Sequence, residues 1–295
     1  MNVHIPQIDE NITTLNPCSE LVRILNLVYE IAEDVYFDFG RCGFITPDGI
    51  ILLAGSKMIR DQKGYKTKII FSSINSDVNW VLRRWGFLDL FPAEEVGRRY
   101  INSGNSIPLH GQSMFNKSCI LEYIDDQILN RAEMPKMSEI LRKEIRKSFF
   151  EIFNNIFFHS DSPIGGLACG QIFPRGEIIQ IVFYDAGIGI ANKVREQNKE
   201  ILVDKEAIEW SLQRGTSTLG SESISRGLGL FLLRKFLCAN KGTLRIYANR
   251  GLFFEKGDER YFIDVDCPLK GTIIDIRIKI KEDVEYVLAS EYESL

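Results

Sequence analysis

The sequence has little that would place it in a membrane, a secreted scaffold or a zinc domain. No stretch approaches 18 consecutive apolar residues, so no spanning helix is expected. The opening MNVHIPQIDENITT has Asp9 and Glu10 where a leader needs lysines, and it lacks an apolar core. The six cysteines, Cys18, Cys42, Cys119, Cys169, Cys238 and Cys267, form no CxxC pair and have few histidines near them. That pattern suggests neither a zinc knuckle nor a disulfide framework and predicts reduced, mostly buried thiols. Excess positive charge is absent too: 36 basic against 40 acidic residues leave a net charge of −4, which argues against nucleic acid as the main partner. A cytoplasmic location is the resulting expectation. What remains is a chain of 295 residues with 45% hydrophobic content, enough for two modest domains with cores of their own.

The stretch Glu151 to Ser160, EIFNNIFFHS, predicts a helix with two different faces. Phe149, Ile152, Phe153 and Ile156 recur at the spacing of a buried stripe. Glu151, Asn155 and His159, four residues apart, stack along another face. By itself a Glu and an Asn one turn apart usually mark a solvated edge. Three further segments follow in order: DAGIGI at Asp185 to Ile190, SRGLGL at Ser225 to Leu230, and GTIIDIRI from Gly271. A DxGxG alone is as readily a tight turn after a strand.

Taken in order, these four segments resemble the GHKL superfamily of ATPases, which includes gyrase-type topoisomerases, heat-shock chaperones, histidine kinases and mismatch-repair ATPases. The resemblance covers about the C-terminal two-thirds of the chain. It implies an α/β (α+β) Bergerat sandwich, a mixed β-sheet with helices on one face, that binds ATP with Mg2+. Asp185 ends a predicted strand, GEIIQIVFYD; its carboxylate, acceptor-only, suits the adenine amine and opposes the guanine O6. Gly187 and Gly189 let backbone approach base and sugar. The resemblance further makes Asn155 the magnesium ligand, in preference to neighbouring Asn154, Glu151 the general base, and Thr272 a support for adenine recognition. It places His159 near the phosphates or the lid. The Gly/Ser-rich RGTSTLGSESIS matches an ATP lid, with Thr216 and Arg226 as candidate phosphate contacts. Gly227, Leu228 and Gly229 then open an apolar helix whose free N–H groups and positive end face the phosphates.

The first hundred residues alternate strand and helix. Helices are predicted from about 17 to 32, after Thr46-Pro47-Asp48-Gly49, and around Val78 to Trp85, with strands at VYFDF and TKIIFS. Parallel strands joined by crossovers follow. FDFGRCGFITPDGIILLAG loosely resembles the STAS domains of anti-sigma-factor antagonists, in which the turn carries a phosphorylated serine. Asp48 stands near that place, which leaves Thr46, Ser56, Ser72 and Ser73 as candidate acceptors.

The expected organisation is a STAS-like α/β domain over 1–100, a joint over 101–118 with His110 as a surface residue, the ATP-binding domain over 119–280, and an acidic tail or helix over 281–295. GTLRIYANRG, ERYFIDVD and GTIIDIRIKI predict antiparallel strands, the last at the edge of the sheet. The function expected is a slow ATPase used as a conformational switch, reporting to a STAS-like or other signalling protein or to a second copy in a homodimer. A protein serine/threonine kinase of the anti-sigma-factor type and a non-hydrolysing ATP sensor are the alternatives. A histidine kinase fits poorly, because His4 and His110 lie outside any predicted helix.

Overall fold

A computed structural model describes residues 1–8, 18–92, 104–213, 228–280 and 284–292, with backbone alone for 197, 228 and 292. Three short strands, β1 (Asn2–His4), β2 (Val35–Asp38) and β3 (Thr67–Ile69), pair in parallel in the order β1-β2-β3. Helices α1 (Ser19–Val28) and α2 (Pro47–Gln62) make the two crossovers, and α3 (Ser76–Arg84) follows. Strand β1 has no counterpart among the expected elements. Pro47 starts α2 at the position where its missing N–H costs nothing. Buried residues lie all round α2, from Ile50 to Ala54 and again at Ile59 and Arg60, as in a helix enclosed by a core. The Arg60 guanidinium donates to the carbonyls of Val28 (2.8 Å), Ile31 (2.9 Å) and Glu33, tying α2 to the end of α1.

The second unit is built on five strands: β4 (Ser106–Gln112), β6 (Gly166–Phe173), β7 (Ile178–Asp185), β8 (Thr243–Lys256) and β9 (Glu259–Lys279). Their order is β4-β6-β7-β9-β8, and every pairing is antiparallel, so the sheet is not the mixed one expected. ERYFIDVD and GTIIDIRIKI belong to the single long strand β9, which lies between β7 and β8 and not at the edge. Residues 106–112, inside the expected joint, form the edge strand β4, where Pro108 is tolerated. His110 in that strand is half-buried and stacked on Tyr123 at 4.5 Å, not a surface residue, and burial lowers its pKa.

Helix α4 (Lys117–Tyr123) runs into a π-helical turn at Ile124–Leu129, and α5 (Glu139–His159) crosses one face of the sheet. Ser138 caps α5 by accepting the Leu141 N–H at 3.1 Å. Phe149 and Phe153 of α5 pack on Phe183 of β7. Helices α6 (Ile190–Gln197), α7 (Asp204–Ser211) and α8 (Leu228–Asn240) complete that side. Part of the expected acidic tail is docked instead: β10 (Glu285–Tyr286) pairs in parallel with β5 (Lys136–Met137), and Tyr286 packs edge-on to Phe236. A short helix, α9 (Ala289–Tyr292), follows. Among the described residues no helix is long and apolar enough to cross a membrane.

Helices were expected on one face only, yet the other face is covered as well, by the first unit. Ile181 and Phe183 of β7 belong to the core under α5, while Val182 and Tyr184 belong to the core that includes α1, α2 and β2. All eight residues of β7 are buried, which explains its unbroken apolar run in place of an alternation. The two units thus share a core. Trp85 Nε1–H donates to Gly170 O at 2.6 Å across this junction. Asp48, in the first turn of α2, accepts from Arg245 of β8 at 2.9 Å, and Arg245 also donates to Asp275 of β9 at 2.6 Å. All three are buried, so each charge depends on the others.

Of the four candidate acceptor hydroxyls, Thr46 and Ser56 are buried and closed to a modifying enzyme. Ser73 is half-buried and bridges Ile70 O and the Phe39 N–H, while Ser72 is exposed.

Candidate functional site

A cleft opens between α5, the start of α6 and the start of α8, floored by β7 and β9. Glu151, Asn155, His159, Asp185, Gly189 and Thr272 all line it. Their meeting follows from two periodicities. On α5 a step of four residues keeps Glu151, Asn155 and His159 on one flank of the buried stripe. On β7 alternation turns Asp185 to the α5 side and Tyr184 to the α2 side.

Asp185 is 4% exposed. Its Oδ1 accepts the Gly187 N–H at 2.9 Å, and Thr272 sits directly opposite on β9. Burial pushes the carboxyl pKa up to about 7, against the opposing hydrogen bonds of Gly187 and Thr272. Thr272 Oγ1 also accepts the Ile190 N–H at 3.2 Å, which holds the first turn of α6 to the sheet.

The glycines serve a packing purpose besides any ligand approach. A Cβ on Gly187 would lie 1.9 Å from the Ser160 carbonyl oxygen. Gly189 has φ +81°, and a Cβ there would meet Asn249 Oδ1 at 2.4 Å. Gly187 is not among the lining residues; its N–H is bonded to Asp185, which is.

Glu151 Oε2 accepts the Gly229 N–H at 3.1 Å, so a carboxylate occupies the positive end of α8. The Ser148 hydroxyl donates to Gly229 O at 2.8 Å and locks the same turn. A Cβ on Gly229 would approach Glu151 Oε2 to 2.2 Å, so a larger residue there would displace the carboxylate. Asn155 is exposed into the cleft, whereas the side-chain oxygen of Asn154 is buried without a partner among the described residues, so Asn155 is the one of the pair available to a ligand. Leu228 starts α8, and Thr216, Arg226 and Gly227 lie outside the described residues.

Several cleft residues carry no motif. Lys193, one turn into α6, brings a cation and is paired with Glu196 at 2.8 Å and Asp161 at 3.8 Å. Its place four residues after Gly189 was the only available signal. Trp210, Leu212 and Leu230 supply apolar wall. Arg234 is clamped by both carboxylate oxygens of Glu255, at 2.7 and 2.9 Å.

The arrangement offers a buried acceptor at an apolar floor, an amide oxygen and a carboxylate on one helix, and a helix N-terminus opposite. Among the described residues no three His, Cys, Asp or Glu side chains converge as a metal cage. A hard cation here would draw further oxygens from a ligand or from water. No family model matches the chain, and no curated protein matches it.

Proposed function

We propose that the cleft binds Mg-ATP in the manner of a GHKL protein of Bergerat fold, that the first unit is a STAS-like module, and that nucleotide binding with slow hydrolysis acts as a conformational switch. The observation that carries this reading is Asp185: a buried carboxyl at a strand end, backed by Thr272, facing a cleft whose far side is the N-terminus of α8.

The residues fit each part of the ligand. Ionised Asp185 accepts from an exocyclic amine, which selects adenine over guanine. Asn155 offers its amide oxygen to magnesium, and the first turn of α8 offers backbone N–H groups to phosphate. Magnesium, when bound with the triphosphate, supplies charge neutralisation at the transferring phosphoryl group. Glu151 would take a proton from water as that oxygen bonds to phosphorus and the bond to the ADP oxygen breaks. Its carboxylate can do so through one oxygen while Oε2 keeps the Gly229 N–H.

That last contact favours a second reading, an ATP sensor without turnover, in which Glu151 serves to hold α8. Calorimetric titration with ATP, ADP and GTP in magnesium, followed by phosphate release, tests both. Binding of ATP and not GTP that Asp185→Asn abolishes, with release that Glu151→Ala abolishes, is the expected result. Binding without release moves the reading to the sensor, or to a protein kinase if labelled phosphate appears on a partner. No binding of ATP removes the proposal.

A further inference from the structure

A second cleft lies at the opposite end of the sheet, where the first unit meets β6 and β7. Gln180 of β7 and Arg277 of β9 lie at its floor, and its walls include Phe44, ahead of α2, and Phe173, at the end of β6. We propose that this cleft binds a neutral flat ring with a lactam edge, an N–H beside a C=O. The inference does not rest on the nucleotide reading.

The first argument is an unmet acceptor beside an unmet donor. Gln180 and Arg277 are direct partners in the β7–β9 register, so their side chains leave the same face of the sheet, the one that Val182 and Tyr184 turn to the first unit. Asp275, two residues before Arg277 on β9, aims both. Gln180 Nε2–H donates to Asp275 Oδ1 at 3.1 Å, and Arg277 Nε lies 3.4 Å from Asp275 Oδ2. The Gln180 amide oxygen and the Arg277 Nη groups therefore turn away from that carboxylate, and neither has a hydrogen-bond partner among the described residues. Gln180 is only 1% exposed, yet its oxygen is not one of the sealed polar atoms. An acceptor left unmet at such a place costs stability that a ligand donor would recover. A lactam supplies both halves, its N–H to Gln180 Oε1 and its C=O to the Arg277 Nη–H groups.

Charge is the second argument, and it favours a neutral ring over an ion. At the floor the carboxylates of Asp48 and Asp275 balance the guanidinium groups of Arg245 and Arg277. At the rim Arg175 is followed two residues later by the exposed Glu177. Neither sign is in excess, so an ionised ligand would give up its water without gaining a counter-charge. The third argument is shape. Phe44 and Phe173, both half-buried, give apolar wall for a ring to lie on, while the fixed polar pair at the floor sets its orientation.

Calorimetric titration of the full chain with carbostyril, the lactam of quinoline, tests this. The controls are N-methylcarbostyril, which lacks the donor, and quinoline, which lacks the carbonyl. Saturable one-to-one binding of carbostyril is expected, about tenfold or more tighter than that of either control and unchanged in Asp185→Asn. Arg277→Met keeps the stem and removes the donors, and should weaken binding about tenfold or more. Phe173→Ser, on the half-buried wall, should weaken it as well and keeps the test decisive if circular dichroism shows Arg277→Met to be unfolded. No saturable binding of carbostyril, equal binding of either control, binding that the folded variants leave unchanged, or binding that Asp185→Asn removes overturns the inference.

Discussion

Replacing Asp185 by Asn should stabilise the fold while abolishing nucleotide binding, and the size of the effect follows from burial. In the unfolded chain the carboxyl titrates at its ordinary 3.8, and in the folded protein at about 7. Between those values the unfolded state has released a proton that the folded state retains, so the folded state loses stability as pH rises. The separation is about three pH units, worth at most about 4 kcal/mol at about 1.4 kcal/mol each. Asparagine never ionises, so its advantage should be absent near pH 4, grow through pH 7 and level off above it. The new amide N–H needs a partner at a buried position and costs about 1–3 kcal/mol. A net gain of roughly 1–3 kcal/mol at pH 8 remains. Urea unfolding of both proteins at pH 4, 6 and 8 measures it. A stability difference that stays flat across that range would refute the reasoning, whatever its sign. The same titration predicts that wild-type ATP affinity falls as pH drops below about 7, because the ionised carboxyl is the stronger, charge-assisted acceptor for the adenine amine.

Further outcomes follow from named contacts. Gly229→Ala puts a Cβ 2.2 Å from Glu151 Oε2 and should push the carboxylate from the first turn of α8, lowering both phosphate release and ATP affinity in the assays above. Gly55→Ala places a Cβ 2.4 Å from Tyr184 Cε1; overpacking of about 1–3 kcal/mol should outweigh a helix-propensity gain of about 1 kcal/mol, seen as a lower urea midpoint. Arg245→Met strands the buried carboxylates of Asp48 and Asp275, and a loss of about 3–5 kcal/mol is expected. Adding Asp48→Asn and Asp275→Asn should recover part of that loss, and a triple variant no more stable than the single one would show that the charges are not the cause.

The helices and the cleft residues were legible where periodicity and chemistry coincide. The stripe of α5, the buried run of β7 and the order of the polar segments placed Glu151, Asn155, Asp185 and Thr272 before any coordinates. Strand β4 was not legible, because NSIPLHGQ has loop composition; it survives as a strand because an edge position leaves the Pro108 side of the ladder unpaired. Strand β6 was missed for a related reason. Its Gly170 lies where a Cβ would meet Gln180 O at 2.3 Å, so close packing selected the residue that weakens the strand signal. The antiparallel sheet and the shared core were hidden because alternation along one strand does not say what covers each face. Lys193 and Trp210 belong to no motif themselves, and only tertiary packing brings them to the cleft.

The enclosure of α2 also bears on how the protein is made. The sheet face it packs on is supplied by β6 and β7, the latter ending at Asp185, roughly 120 residues after the helix leaves the ribosome; at about 5–20 residues per second the interval is ~6–25 s. Throughout it, the apolar side of α2 that will lie on Tyr184 has no sheet to lie on. The nascent first unit therefore carries a sticky, half-finished surface, and its yield in a cell should depend on how well that surface is shielded until those two strands arrive.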